Sequence, residues 1–167
     1  MKKEETIRSP HHEELRKDLI QRTKGDILKC FGCGTCTASC PVMRIDNKYN
    51  PRKIVRMMLL GVDVLDEDFI WLCSTCYTCY ERCPQDVKLT EVMDALKNMA
   101  VERGYIHGSL KKQIELLGEH GRLYAVGEFD NKKRMRGGLP EIHMDNKNIQ
   151  GIFKISKLNK LLGKDEQ

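Results

Sequence analysis

Cys30, Cys33, Cys36 and Cys40, followed by Pro41, recur as Cys73, Cys76, Cys79 and Cys83, followed by Pro84. Each position of the first C-x2-C-x2-C-x3-C-P motif returns 43 residues later, and the two copies use all 8 cysteines. Thiolates are soft ligands, and with no histidine among them they select iron-sulfur clusters or zinc over hard cations. A structural zinc site takes two C-x2-C pairs well separated in sequence, which leaves the third closely spaced cysteine without a tetrahedral role. Zinc and disulfides are the alternative uses of these thiols. Three thiolates at this spacing can wrap three corners of one cubane, and the fourth, ahead of proline, is better placed to reach the other cluster. The motifs therefore predict two [4Fe-4S] clusters with crossed ligands: Cys30, Cys33, Cys36 and Cys83 on one, and Cys73, Cys76, Cys79 and Cys40 on the other.

The residues between the cysteines differ between the copies. Gly32 and Gly34 permit tight turns and let backbone N–H groups approach sulfur. Tyr77 and Tyr80 stand in the second motif, where they either screen a cluster from water or pack at a helix crossing. Pro41 and Pro84 turn the chain away after each fourth cysteine.

Helices must carry these loops. Ser9 and Pro10 read as an N-cap and first position of a helix over 11–24 ending at Gly25, with Leu15 and Leu19 as its apolar stripe and His11 and His12 at a solvated start. Asn50-Pro51 opens a second, with Ile54, Val55, Met58 and Leu59 inward and Gly61 as its stop. The acidic segment 66–69 starts a short helix into Cys73. The clearest helical pattern is Leu89, Val92, Met93, Leu96, Met99 and Ala100, predicting a helix over 90–103 capped by Gly104. Another is expected over 109–117, ended by glycines at 118 and 121, and 131–138 reads as an exposed basic loop. At 149–163, seven bulky apolar residues alternate with Lys154, Lys157 and Lys160, which suits docking onto a partner subunit.

At 167 residues and a mean hydropathy of −0.51, the chain has room for one modest core plus arms, with cluster ligation adding to folding. The formal charge of +5 counts the cysteines as neutral. Eight thiolates and two oxidised cluster cores bring it to roughly +1, and to roughly −1 after both are reduced. The charged start MKKEETIRSPHHEE lacks a following apolar segment, and the longest apolar run is at 57–62. No secretory signal and no membrane insertion are expected, and a reducing cytoplasm suits the thiols.

Two such motifs embedded in helices, with no plant-type ferredoxin pattern ahead of them, resemble the C subunit of CoB–CoM heterodisulfide reductase. The stretches that carry the resemblance are CFGCGTCTASCPV at 30–42, the helix after Asn50-Pro51, IWLCSTCYTCYERCP at 70–84 and the helix led by DVKLTEV. The same module is similar to the C-terminal half of succinate dehydrogenase and fumarate reductase iron-sulfur subunits and to the iron-sulfur region of the C subunit of anaerobic glycerol-3-phosphate dehydrogenase. Cys33 and Cys76, the second cysteines, are both present, which favours two complete cubanes. The resemblance implies an all-α, alpha-helical ferredoxin-like domain at 26–104, between a helical arm at 1–25 and a docking extension at 105–167. It also implies a non-catalytic relay in a cytoplasmic hetero-oligomer, taking electrons from a flavin/iron-sulfur A-type subunit. The acceptor would be a noncubane-cluster B-type subunit that reduces the CoM-S-S-CoB disulfide, a step of methanogenesis.

Two other functions compete. One is the relay subunit of another anaerobic dehydrogenase, acting on glycerol-3-phosphate, glycolate or the succinate/fumarate pair. The other is a cluster-containing nucleic-acid-binding regulator using the basic run at 131–138. That role needs an aromatic-studded basic face or a recognition helix, and neither is evident, so no nucleic-acid partner is expected.

Overall fold

The computed structural model describes residues 10–156 and 158–162, with side chains omitted at 10, 11 and 159. The expected cap at Ser9, the solvated His11 side chain and Lys157 lie outside the described residues. Every helix or strand assigned among the described residues is helical, as the sequence predicts. The chain forms two compact units, Met1–Tyr105 and Ile106–Gln167.

In the first unit, helix α1 (Pro10–Arg22) is followed by a turn through Gly25, at φ 80°, into a 3-10 turn at Asp26–Lys29. Two five-residue helices follow, α2 (Thr35–Ser39) and α3 (Pro41–Ile45), the latter opened by the proline after Cys40. Helix α4 (Pro51–Leu59) begins at Asn50, whose side chain accepts from the Lys53 amide at 3.0 Å. This is the capping bond that the Asn-Pro pair predicts. The acidic 66–69 stretch leads into a 3-10 helix at Asp68–Leu72, then α5 (Thr78–Glu81) and the long α6 (Leu89–Glu102).

Helices α1, α4 and α6 close around one core. Leu15 and Leu19 of α1, Ile54 and Met58 of α4, and Leu96 of α6 are fully buried. Each such side chain contributes about 1.5–3 kcal/mol by leaving water. His12 is buried too, contrary to the solvated start expected for it. The cause is long-range: Gly61, at φ 78°, lies so close that an added Cβ would sit 3.0 Å from the His12 Cβ. At the other end of α1, Arg22 donates to both carboxylate oxygens of Glu102, at 2.9 and 2.6 Å, joining α1 to α6. The guanidinium holds the Glu102 carboxyl below the usual range.

The second unit contains α7 (Gly108–His120), α8 (Glu128–Arg136), α9 (Lys147–Ser156) and a 3-10 turn at Leu158–Leu162. Helix α7 runs through Gly118, expected to end it, because that glycine receives the Phe153 ring of α9, 3.0 Å from where a Cβ would lie. The true stop is Gly121, at φ 67°. Most of the expected basic loop is instead α8. Asp130 accepts from the Gly127 amide at 3.1 Å at its start, and Asn131 pairs with both the amide and the carbonyl of Ile142 at 3.0 Å. In the 149–163 segment Phe153 is buried within this unit, whereas Ile152 and Ile155 are exposed.

Candidate metal centre

The cysteines sit on short loops held between these helices. Cys30, Cys33 and Cys36 of the first motif and Cys83 of the second line one pocket with about 330 Å³ of free space. Among the described residues, Arg52 is the one Lys, Arg, Asp or Glu in its lining. Cys73, Cys76 and Cys79 are electrostatic neighbours, and the hydroxyl of buried Tyr49 feels Cys73, Cys40 and Cys79. Burial, chiefly, raises the Tyr49 pKa and keeps that hydroxyl a donor. Among the described residues, no group of three or more His, Cys, Asp or Glu side chains is gathered tightly enough to hold a single metal ion.

The 43-residue repeat extends to the backbone. Gly32 and Gly34 have φ of 76° and 87°, and their equivalents Thr75 and Tyr77 have φ of 53° and 60°. Left-handed backbone is expensive for a residue with a Cβ, and most so for a β-branched one. The second copy therefore holds the same loop shape without the residue that makes it easy, so the loop geometry outranks the local preference.

Hydroxyls repeat as well. Thr35 Oγ1 lies 3.3 Å from Cys33 Sγ, and its equivalent Thr78 Oγ1 lies 3.5 Å from Cys76 Sγ. These contacts, with the backbone amides of the same threonines, lower the pKa of both thiols, which are the exposed ones of their motifs. Burial raises the pKa of Cys36 and Cys79, the third cysteines. A further amide, of Val87, donates to Cys83 Sγ at 3.3 Å. Around the loops, the Thr37 hydroxyl donates to Asn50 Oδ1 at 2.9 Å and accepts from the Arg52 amide at 3.1 Å, pinning α2 to the start of α4. Lys97 donates to the Cys73 carbonyl at 3.1 Å.

This donor set fits an anionic iron-sulfur cluster: soft sulfurs around a cavity, an amide N–H and a threonine hydroxyl beside them, a guanidinium in the wall and, among the described residues, no carboxylate. Sequence reasoning passed over Thr35, Thr78, Tyr49 and Arg52. The threonines had a signal, since each follows the second cysteine of its motif by two residues. Tyr49 and Arg52 had none, because the fold alone brings them to the sulfurs.

Residues 26–87, which include all eight cysteines, match the family model of the 4Fe-4S dicluster domain. The chain is 38% identical over 161 residues to the second C-type iron-sulfur subunit of CoB–CoM heterodisulfide reductase from Methanocaldococcus jannaschii, covering 90% of this chain and 83% of that protein. The chain belongs to the family of heterodisulfide reductase C subunits. Other members include the C subunit of the ferredoxin:CoB-CoM heterodisulfide reductase of Methanosarcina mazei, 39% identical over 78% of this chain and 80% of that one. A protein of Archaeoglobus profundus that is like the heterodisulfide reductase C subunit is 31% identical over 95% of this chain and 85% of its own length. The likeness to these C subunits thus takes in the helical flanks as well as the cysteine-rich stretch. Among the described residues, no helix is long and apolar enough to cross a membrane.

Proposed function

We propose that this chain is the electron-relay subunit of a cytoplasmic heterodisulfide reductase complex, with two [4Fe-4S] clusters in an alpha-helical ferredoxin-like domain at 26–104. One would be held by Cys30, Cys33, Cys36 and Cys83, the other by Cys73, Cys76, Cys79 and Cys40. The observation that carries the reading is the shared pocket of Cys83 with the three leading cysteines of the other motif. Each cluster, when bound, accepts and releases one electron. The chain's own residues set the conditions for that exchange. Cys36 is buried and Cys79 half-buried, while Cys33 and Cys76 face outward. Thr35 and Thr78 set their hydroxyls beside Cys33 and Cys76 and lower the pKa of both, and the Val87 amide donates to Cys83 Sγ; each favours negative charge on sulfur. No side chain of this chain is assigned a catalytic role: the flavin/iron-sulfur A-type subunit would be the donor, and the noncubane-cluster B-type subunit would reduce the CoM-S-S-CoB disulfide. The C-terminal extension, 105–167, would serve subunit docking.

Anaerobic purification of the native complex tests this. The chain should copurify with those two subunits and contain about eight iron and eight sulfide. Stoichiometric zinc with little sulfide would sink the cluster assignment, and copurification with a polyol or hydroxyacid dehydrogenase instead would sink the partner assignment.

A further inference from the structure

A second cavity lies directly outside the Cys30 pocket. It holds about 1010 Å³ of free space, open to solvent, between the 30–32 loop and α4. The two cavities share Cys30, Phe31, Gly32 and Arg52, so only that short loop and one side chain divide the outer groove from the thiols. The groove has an aliphatic floor of Val55 and Leu59, an aromatic wall in Phe31, and a rim of Arg52, Lys53 and Arg56. Among the described residues, its lining contains no acidic side chain. Phe31 is 63% exposed, and with Val55 and Leu59 it gives the groove a connected apolar surface.

We propose that this groove seats a segment of a partner protein whose apolar side chains are flanked by carboxylates, and that this is where one redox partner meets the chain. The inference rests on the relay reading above and adds to it the face and the chemistry of the contact. Apolar burial against Phe31, Val55 and Leu59 supplies the anchor, and the three cations select an acidic surface and speed its approach. The position suits electron exchange, since anything lying in the groove is separated from Cys30 by one stretch of backbone. Arg52 belongs to both cavities. Its Cδ is 3.6 Å from where a Gly34 Cβ would stand, beside Cys33. A partner carboxylate that draws Arg52 toward the rim therefore acts on the side chain beside Cys33, coupling docking to the centre.

The test leaves Arg52 in place and alters Lys53 and Arg56, which line only the outer groove. Lys53→Glu lies in the first turn of α4, where an acid suits the helix N-terminus. Lys53→Glu/Arg56→Glu and the milder Lys53→Gln/Arg56→Gln are compared with wild type as holoproteins, after matching iron, sulfide and EPR signals. Binding is measured anaerobically by interferometry against the flavin-containing and the catalytic subunit, each isolated from the native complex. The expected result is that one subunit associates with wild type at a rate that falls steeply with salt. The charge-reversed variant should lose about 10- to 100-fold of that low-salt rate, the neutralised one less, and the other subunit should be unaffected. Unchanged binding of both subunits overturns the groove while leaving the relay intact. Loss of binding to vesicles containing phosphatidylglycerol, or to poly(U) RNA, with both subunits still bound, also overturns it, in favour of a lipid or RNA ligand. Wild type that binds neither subunit at any ionic strength overturns the relay reading and the groove with it.

Discussion

Arg82 reaches the Ser39 hydroxyl at 3.4 Å, and these two residues occupy the same position of the two cysteine repeats. A contact between equivalent positions marks a local twofold axis, and around it α2 packs on its counterpart α5. Ser39 immediately precedes Cys40, and Arg82 immediately precedes Cys83. Each fourth cysteine thus leaves its own motif at the axis, the one place from which a step leads equally to either site. That is a geometric cause for Cys83 lining the Cys30 pocket.

The first prediction follows from this exchange. Cys83→Ser should damage the centre of Cys30, Cys33 and Cys36 more than that of Cys73, Cys76 and Cys79. EPR of the reduced variant, set beside Cys30→Ser and Cys73→Ser, checks it. Spectra resembling those of Cys73→Ser would show local ligation.

Thr35 and Thr78 should each tune one centre. Reduction adds negative charge at sulfur and strengthens a hydroxyl bond to it, so Thr35→Val should lower the potential of the Cys33 centre and Thr78→Val that of the Cys76 centre. For a bond worth about 1 kcal/mol more in the reduced state, the shift is about 40 mV. Anaerobic redox titration followed by EPR measures it, and potentials that do not move would assign the threonines to loop structure alone.

The left-handed positions give a paired test. Gly32→Ala meets no atom within 4 Å, so its cost is purely conformational, about 1 kcal/mol. Thr75→Gly at the equivalent position should raise stability by a smaller amount, because relief of strain is partly offset by the freedom glycine adds to the unfolded chain. Thermal melts of the two holoproteins should shift in opposite directions. A fall in both would mean that the Thr75 side chain makes contacts that outweigh its backbone strain.

In the second unit, Gly118→Val should displace the Phe153 ring, and Gly121→Ala should place a Cβ 2.5 Å from the Asp145 carbonyl oxygen. Each is expected to destabilise that unit by about 1–3 kcal/mol. Hydrogen exchange across α7 and α9 should accelerate while the visible cluster absorbance is unchanged. Exchange that stays slow would show that Phe153 finds another seat.

How much of this was legible in the sequence depended on how local its cause was. Helices α4 and α6 were readable because an Asn-Pro start, an apolar stripe and a following glycine all lie within a few turns. Helix α8 was not, since its six charged residues show no stripe; what holds it is the Asp130 cap and the Asn131 bridge to Ile142. Its one sequence trace is Glu128 and Asp130 at the start with Arg134 and Arg136 at the end, the order that a helix dipole favours. His12 was misjudged because its burial comes from Gly61, far along the chain. At the centre, the repeated cysteine motif could be read from spacing, whereas Tyr49 comes near the sulfurs only through the fold.

The placement of Cys83 also bears on how the protein is made. In the crossed arrangement proposed above, a nascent chain that has emerged only as far as Tyr80 carries seven of the eight cysteines, yet can complete only the centre that borrows Cys40. The Cys30 centre must wait for residue 83, although its first three cysteines emerged some 50 residues earlier. A chain cut short between the motifs has four thiols and no finished site, so a mature pair of clusters certifies that synthesis has passed the second motif. In that arrangement, completion of the pair would be tied to synthesis of the second motif rather than of the first.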